Sequence, residues 1–197
     1  MTNTSRTRGQ LAGTVGGLIG LAGAVVLGLI RLWNDDSPLS TEMVLGNIAF
    51  TLSFCAPYVM ALLAANIRDP AYRGGFLATS GIPALLSGFT ALSGVSLILL
   101  PAAMIIFAST VMSLSNVSFR RIIPSFSLGV LAIIILGLGF YALFGIEANV
   151  ERCYSTATTT TCSSDAITSR EALMSMGITM VGISIIGATY LVQKRKQ

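Results

Sequence analysis

The chain has 197 residues, with 12 Lys and Arg against 8 Asp and Glu and no histidine. Hydrophobic residues make up 53% of it and charged residues 10%, and mean hydropathy is +0.80, whereas soluble domains carry roughly 25% charged residues. A soluble fold is excluded, because several uncharged runs of about 20 residues could not all be buried inside so short a chain.

Residues 1–8 are polar and include Arg6 and Arg8, and the apolar run from Leu11 to Ile30 follows, ending at Arg31, Leu32 and Trp33. The first membrane span is read as 11–32, with Trp33 as an interfacial anchor. A basic start followed by Ala22-Gly23-Ala24 also has the form of a cleavable secretory leader. The apolar run continues through Val25 to Ile30, so an uncleaved span is expected. A polar segment with Asp35, Asp36 and Pro38 leads to a second span at 43–67, which Arg68-Asp69-Pro70 is expected to close.

From Gly74 to Phe119 there is no charged residue. One helix of that length would be roughly 69 Å long, more than twice the ~30 Å hydrocarbon core of a bilayer. The stretch must fold back, which gives spans at 75–92 and 95–114 broken near Ser93-Gly94-Val95-Ser96, with Pro83 and Pro101 tolerated inside them. Arg120, Arg121 and Pro124 are read as a basic turn before a fifth span at 125–146. The loop 147–172 is the longest polar stretch, and a sixth span at 173–192 precedes Lys194-Arg195-Lys196.

Charge placement tests this topology. With both termini cytoplasmic, the inner segments hold Arg6, Arg8, Arg68, Arg73, Arg120, Arg121, Lys194, Arg195 and Lys196 against Asp69 alone. The outer segments hold Arg31, Arg152 and Arg170 against Asp35, Asp36, Glu42, Glu147, Glu151, Asp165 and Glu171. The basic residues gather on one side, as the positive-inside rule requires, and a five-span chain would lose that agreement. The expectation is an all-α, polytopic integral membrane bundle of six transmembrane helices in one domain, set in the cell membrane. Dispersed at segment ends, the basic residues point to membrane orientation and not to nucleic acid.

Cys153 and Cys162 both fall in the outer loop, where an oxidising exterior would allow a disulfide. They are not in the C-x-x-C spacing of redox couples. Cys55 lies within the second span and is read as an ordinary small apolar residue.

Two features point to helix packing. Gly9, Gly13 and Gly17 share one four-residue register of the first span, and Gly16, Gly20, Ala24 and Gly28 share another. Small residues at that spacing let helix backbones approach closely, against another span of this chain or against a second copy. In the second span Asn47, Thr51, Cys55 and Tyr58 lie on one face, as Ser80, Pro83, Ser87 and Thr90 do in the third. Such faces either line a path for a small polar solute or tie helices together by modest hydrogen bonds.

Without histidine, haem ligation by His, zinc-protease motifs and His general-base catalysis are excluded. No ionisable residue lies near the middle of an expected span. There is no phosphate-cradling loop and no G-x-S-x-G elbow, and no loop is long enough for a separate domain. The reading is a non-enzymatic accessory, structural or assembly component that binds lipid, other membrane proteins or copies of itself, without a cofactor. Its competitors are a small transporter or channel using Asn47, Thr51 and Tyr58, and a lipid-modifying enzyme using Asp35, Asp36, Glu42 and Glu147.

Overall fold

In hydrocarbon the backbone has no water to bond to, so each apolar run must close its own N–H to C=O ladder as a helix. The computed structural model describes residues 2–34, 40–90, 95–115, 117–144, 152–155, 160–163 and 167–195. In them lie six helices, α1 (Thr2–Asn34), α2 (Thr41–Ala65), α3 (Pro70–Thr90), α4 (Ser96–Leu114), α5 (Phe119–Phe144) and α6 (Ser169–Arg195). A short antiparallel hairpin, β1 (Arg152–Ser155) and β2 (Thr160–Ser163), stands between α5 and α6. The chain is a multi-pass helical membrane bundle: 5 of these helices, all but α3, are long and apolar enough to cross a bilayer.

The exception is informative. α3 carries Arg73, Thr79, Ser80, Pro83 and Ser87, which lower its hydropathy. It packs against α2, α4 and α5, and Phe76, Leu77, Thr79 and Ser80 are fully buried. The helix left out of the bilayer-spanning set is thus covered by three others.

Glycine contacts give the direction of each pair. Gly28 meets Thr51 and Gly17 meets Leu62, so α1 and α2 run antiparallel. Gly74 meets Leu114 and Gly88 meets Leu100, which sets α3 antiparallel to α4. Gly75 meets Ser125 and Gly129 meets Thr79, so α3 and α5 are parallel. Gly139 meets Thr179 and Gly182 meets Leu136, making α5 and α6 antiparallel. One end of the bundle therefore collects the starts of α1, α3 and α5 and the ends of α2, α4 and α6. That basic end holds Arg6, Arg8, Arg68, Arg73, Arg120, Arg121, Lys194 and Arg195, with Asp69 as the only carboxylate among its described residues.

Several boundaries differ from those expected. The first span (11–32) is part of a longer helix that already includes Thr2, and 43–67 becomes Thr41–Ala65, started by Ser40, whose Oγ accepts from the Met43 amide at 3.1 Å. Pro70 does not close the second span. It opens α3, with Asp69 Oδ1 accepting from the Ala71 amide at 2.8 Å. Proline suits the first helical position, where its missing N–H costs nothing, and aspartate suits the cap. The third span is therefore Pro70–Thr90 in place of 75–92.

Arg120, Arg121 and Pro124 are not a turn but lie inside α5, so the fifth span starts at Phe119 and not at 125. The fourth span, read as 95–114, is Ser96–Leu114. The sixth, read as 173–192, is Ser169–Arg195 and shortens the loop 147–172. Its start is fixed by a reciprocal cap: the Glu171 amide donates to Thr168 Oγ1 at 3.1 Å, and the Thr168 amide donates to Glu171 Oε2 at 2.9 Å.

Candidate functional site

The glycines of α1 are shared between two neighbours. Gly17, Gly20 and Gly28 face α2: a Cβ on Gly17 would stand 2.6 Å from Leu62 Cγ, and one on Gly20 would overlap the Tyr58 ring, whereas one on Gly13 would stand between helices, 2.8 Å from Ser109 Oγ of α4 and 3.0 Å from Ala65 Cβ of α2. Gly9, Gly16 and Gly23 face α4, where a Cβ on Gly16 would stand 3.0 Å from the Ala102 carbonyl oxygen. The two four-residue registers of the sequence are therefore re-sorted. Gly16 leaves Gly20 and Gly28 to join a seven-residue row against α4, while Gly17 joins Gly20 and Gly28 against α2.

The polar face of α2 divides between two partners. Tyr58 is 0% exposed. Its hydroxyl donates to the Ala84 carbonyl of α3 at 3.1 Å and lies 3.0 Å from Ser87 Oγ, which also contacts that carbonyl at 2.8 Å. Asn47 Nδ2 donates to the Gly28 carbonyl of α1 at 3.2 Å, while Thr51 Oγ1 donates back to the Asn47 carbonyl at 2.7 Å. Asn47 Oδ1 is buried with no hydrogen-bond partner. Cys55 is buried.

A second polar knot lies at the basic end. Arg73 is 1% exposed, one turn inside α3. Its Nε donates to Ser113 Oγ of α4 at 3.1 Å and its Nη1 to the Ile67 carbonyl beyond α2 at 3.4 Å. Ser109 Oγ of α4 donates to the Gly9 carbonyl of α1 at 2.6 Å, and Ser125 Oγ of α5 donates to the Ala71 carbonyl of α3 at 3.1 Å. Four helices and the segment that follows α2 are tied together within about two turns of this end of the bundle. Sequence reasoning placed Arg73 in an interfacial turn; the structure buries it. The signal available was the spacing of Ser109 and Ser113, four residues apart on a helix face.

At the opposite end Arg31 lies 4.3 Å over the Phe50 ring, a cation–π contact next to the Phe50 and Phe54 rings, which are 4.6 Å apart. Ser53 Oγ of α2 and Ser175 Oγ of α6 lie 3.4 Å apart. Thr179, one turn further along α6, keeps a buried Oγ1 with no partner.

Of the carboxylates considered for lipid chemistry, Asp35, Asp36 and Glu147 lie outside the described residues, and Glu42 sits in the first turn of α2. Among the described residues no group of three or more His, Cys, Asp or Glu is placed to hold a metal ion. Cys153 and Cys162 are directly opposite residues of the β1–β2 ladder. No family model matches this chain, and comparison with curated proteins and with solved structures gave no match either.

Proposed function

We propose that this protein is a non-enzymatic membrane component, an accessory or assembly factor that acts by binding other membrane proteins or lipid. The observation that supports this is where the interior polar groups go: Tyr58, Asn47, Arg73, Ser109 and Ser125 each bond to another helix or connecting segment of the same chain. A bundle whose polar side chains are used in holding its own helices together offers its outer faces and its basic end for interaction. Crosslinking in cells followed by purification in mild detergent tests it. The expected result is a reproducible partner or a retained lipid; a lone, lipid-free chain under both conditions would remove the reading.

One observation favours the solute-path alternative, the unpartnered Asn47 Oδ1 beside Thr51. Flux of small uncharged solutes into liposomes that Asn47→Ala abolishes would establish it. No flux, with wild-type and Asn47→Ala alike, would dismiss it.

The hairpin of the outer loop bears a disulfide in this reading. Facing residues of an antiparallel pair have Cα atoms about 4.5–5.5 Å apart, within the ~4.4–6.8 Å that a disulfide spans. Cys153 and Cys162 are such a pair. Closing the bond releases two protons and passes two electrons to the disulfide of an exterior thiol oxidase, which becomes a dithiol. In denatured protein Cys55 alone is alkylated without reduction if the bond is present, and two further alkyl groups appear only after reduction; three alkyl groups without reduction show that it is absent.

A further inference from the structure

We infer that the corner of the basic end formed by the starts of α3 and α5 is a binding site for the phosphate group of an anionic phospholipid. Parallel packing brings these two helix starts together. Ser125 Oγ bonds the Ala71 carbonyl at 3.1 Å, and Gly75 lies against Ser125. Ala71 is in the first turn of α3, whereas Ser125 is already beyond the first turn of α5. α5 therefore extends past the start of α3 toward the aqueous side, level with the Arg68-Asp69 segment. Arg121, four residues before Ser125, shares its face and emerges beneath α3. Arg68, Arg120 and Arg121 are all exposed at this corner.

Two further observations favour a lipid. The only carboxylate at the basic end among the described residues is Asp69, and it is engaged in capping α3 through the Ala71 amide. The corner is therefore electropositive. Immediately beside the arginines, Phe119 is 79% exposed, with Ile123 and Phe126 exposed on the following turns of a helix apolar enough to span the bilayer. A ligand that suits this surface carries an anionic oxygen group at the membrane boundary and acyl chains alongside α5. Guanidinium groups bind phosphate oxygens by paired, charge-assisted hydrogen bonds.

The inference deepens the lipid side of the accessory reading and rests on it only for the placement of this end at a bilayer surface. The full chain is purified into nanodiscs of phosphatidylcholine containing a minor fraction of phosphatidylglycerol, and the lipid retained on release is identified by native mass spectrometry. Wild type is expected to retain phosphatidylglycerol preferentially, and less of it as salt is raised. Arg120→Gln with Arg121→Gln should weaken retention roughly thirty-fold, the equivalent of ~1 kcal/mol for each basic residue near the surface. Arg8→Gln, at the same end but on α1 across the bundle, should leave the preference unchanged.

Inorganic phosphate that displaces the lipid at millimolar level would make the ligand a free anion and overturn the lipid assignment. Equal retention of both lipids by the wild type, or retention insensitive to the double substitution, would also overturn it. If the double variant does not fold, the wild-type preference and its salt dependence decide. A protein partner retained without lipid selectivity would sink this inference and leave the accessory reading intact.

Discussion

Gly20 offers the sharpest test of how the bundle is held together. Replacing it by alanine puts a methyl group into the Tyr58 ring, with Cγ at 2.7 Å and two further ring carbons closer still. Backing away would break two hydrogen bonds, since the Tyr58 hydroxyl is fixed at 3.1 Å from the Ala84 carbonyl and 3.0 Å from Ser87 Oγ. Overpacking of this kind costs about 1–3 kcal/mol, and each lost interhelical hydrogen bond adds about 0.6 kcal/mol. Alanine returns about 1 kcal/mol through its higher helix propensity, so Gly20→Ala should destabilise the protein by roughly 1–3 kcal/mol. Gly177 of α6 is the matched control, with nothing within 4 Å of its would-be Cβ. Gly177→Ala should be neutral or stabilising by up to about 1 kcal/mol. Unfolding in mixed micelles by titration with a denaturing detergent measures both. A Gly20→Ala protein as stable as the wild type, or one no worse than Gly177→Ala, would refute the close packing of α1 on α2.

The other expectations are smaller in scope. Tyr58→Phe keeps the ring against Gly20 and removes only the hydroxyl, so the loss should be about 0.6–1.7 kcal/mol in the same titration; no loss would mean that the α2–α3 bond is not formed. Arg73→Ala empties a fully buried position and leaves Ser113 Oγ and the Ile67 carbonyl without this donor, which should cost about 3 kcal/mol or more, read as a lower unfolding midpoint. Thr168→Ala removes one half of the α6 cap, so stability should fall by about 1 kcal/mol, and amide exchange should rise at Glu171 in particular, whose N–H loses its acceptor.

What the sequence shows and what it hides divide along a physical line. Apolar run length depends on local composition alone, so the number, order and approximate extent of the helices are legible from the uncharged stretches. Start signals were present but outweighed: Asp69-Pro70 is as good an N-cap with proline at the first position as it is a stop, and only the 2.8 Å bond from the Ala71 amide distinguishes them. Thr168 and Glu171 were likewise readable as a capping box, three residues apart. The side chains tying helices together depend on which helices are neighbours, and that is a property of the whole chain. Asn47 and Tyr58 share a face of α2 in the sequence, yet they bond in opposite directions, to α1 and to α3. Arg73 looked interfacial because it stands near a span end, but the covering by α2 and α4 is what buries it.

The arrangement around α4 shows how a greasy sequence can still specify one packing. Leu100, Phe107 and Leu114 recur every seventh residue, as do Gly74, Gly81 and Gly88 of α3, and the two rows meet in reverse order, Gly88 with Leu100, Gly81 with Phe107 and Gly74 with Leu114. On its other side α4 receives Gly9, Gly16 and Gly23 of α1, again seven apart. A seven-residue repeat keeps a helix face toward its neighbour at a small left-handed crossing, the geometry of most membrane bundles. Burial of apolar surface cannot select among alternatives in lipid, because every face is equally apolar there. Shape can: a large side chain fits opposite a glycine and nowhere else along the row. The selection by size also accounts for the position of α3. A helix too polar to favour lipid is kept inside when its glycines accept the bulky row of α4, its Ser87 hydroxyl meets Tyr58 of α2 and its Ala71 carbonyl accepts from Ser125 of α5, so the register that packs it is the same one that hides Arg73.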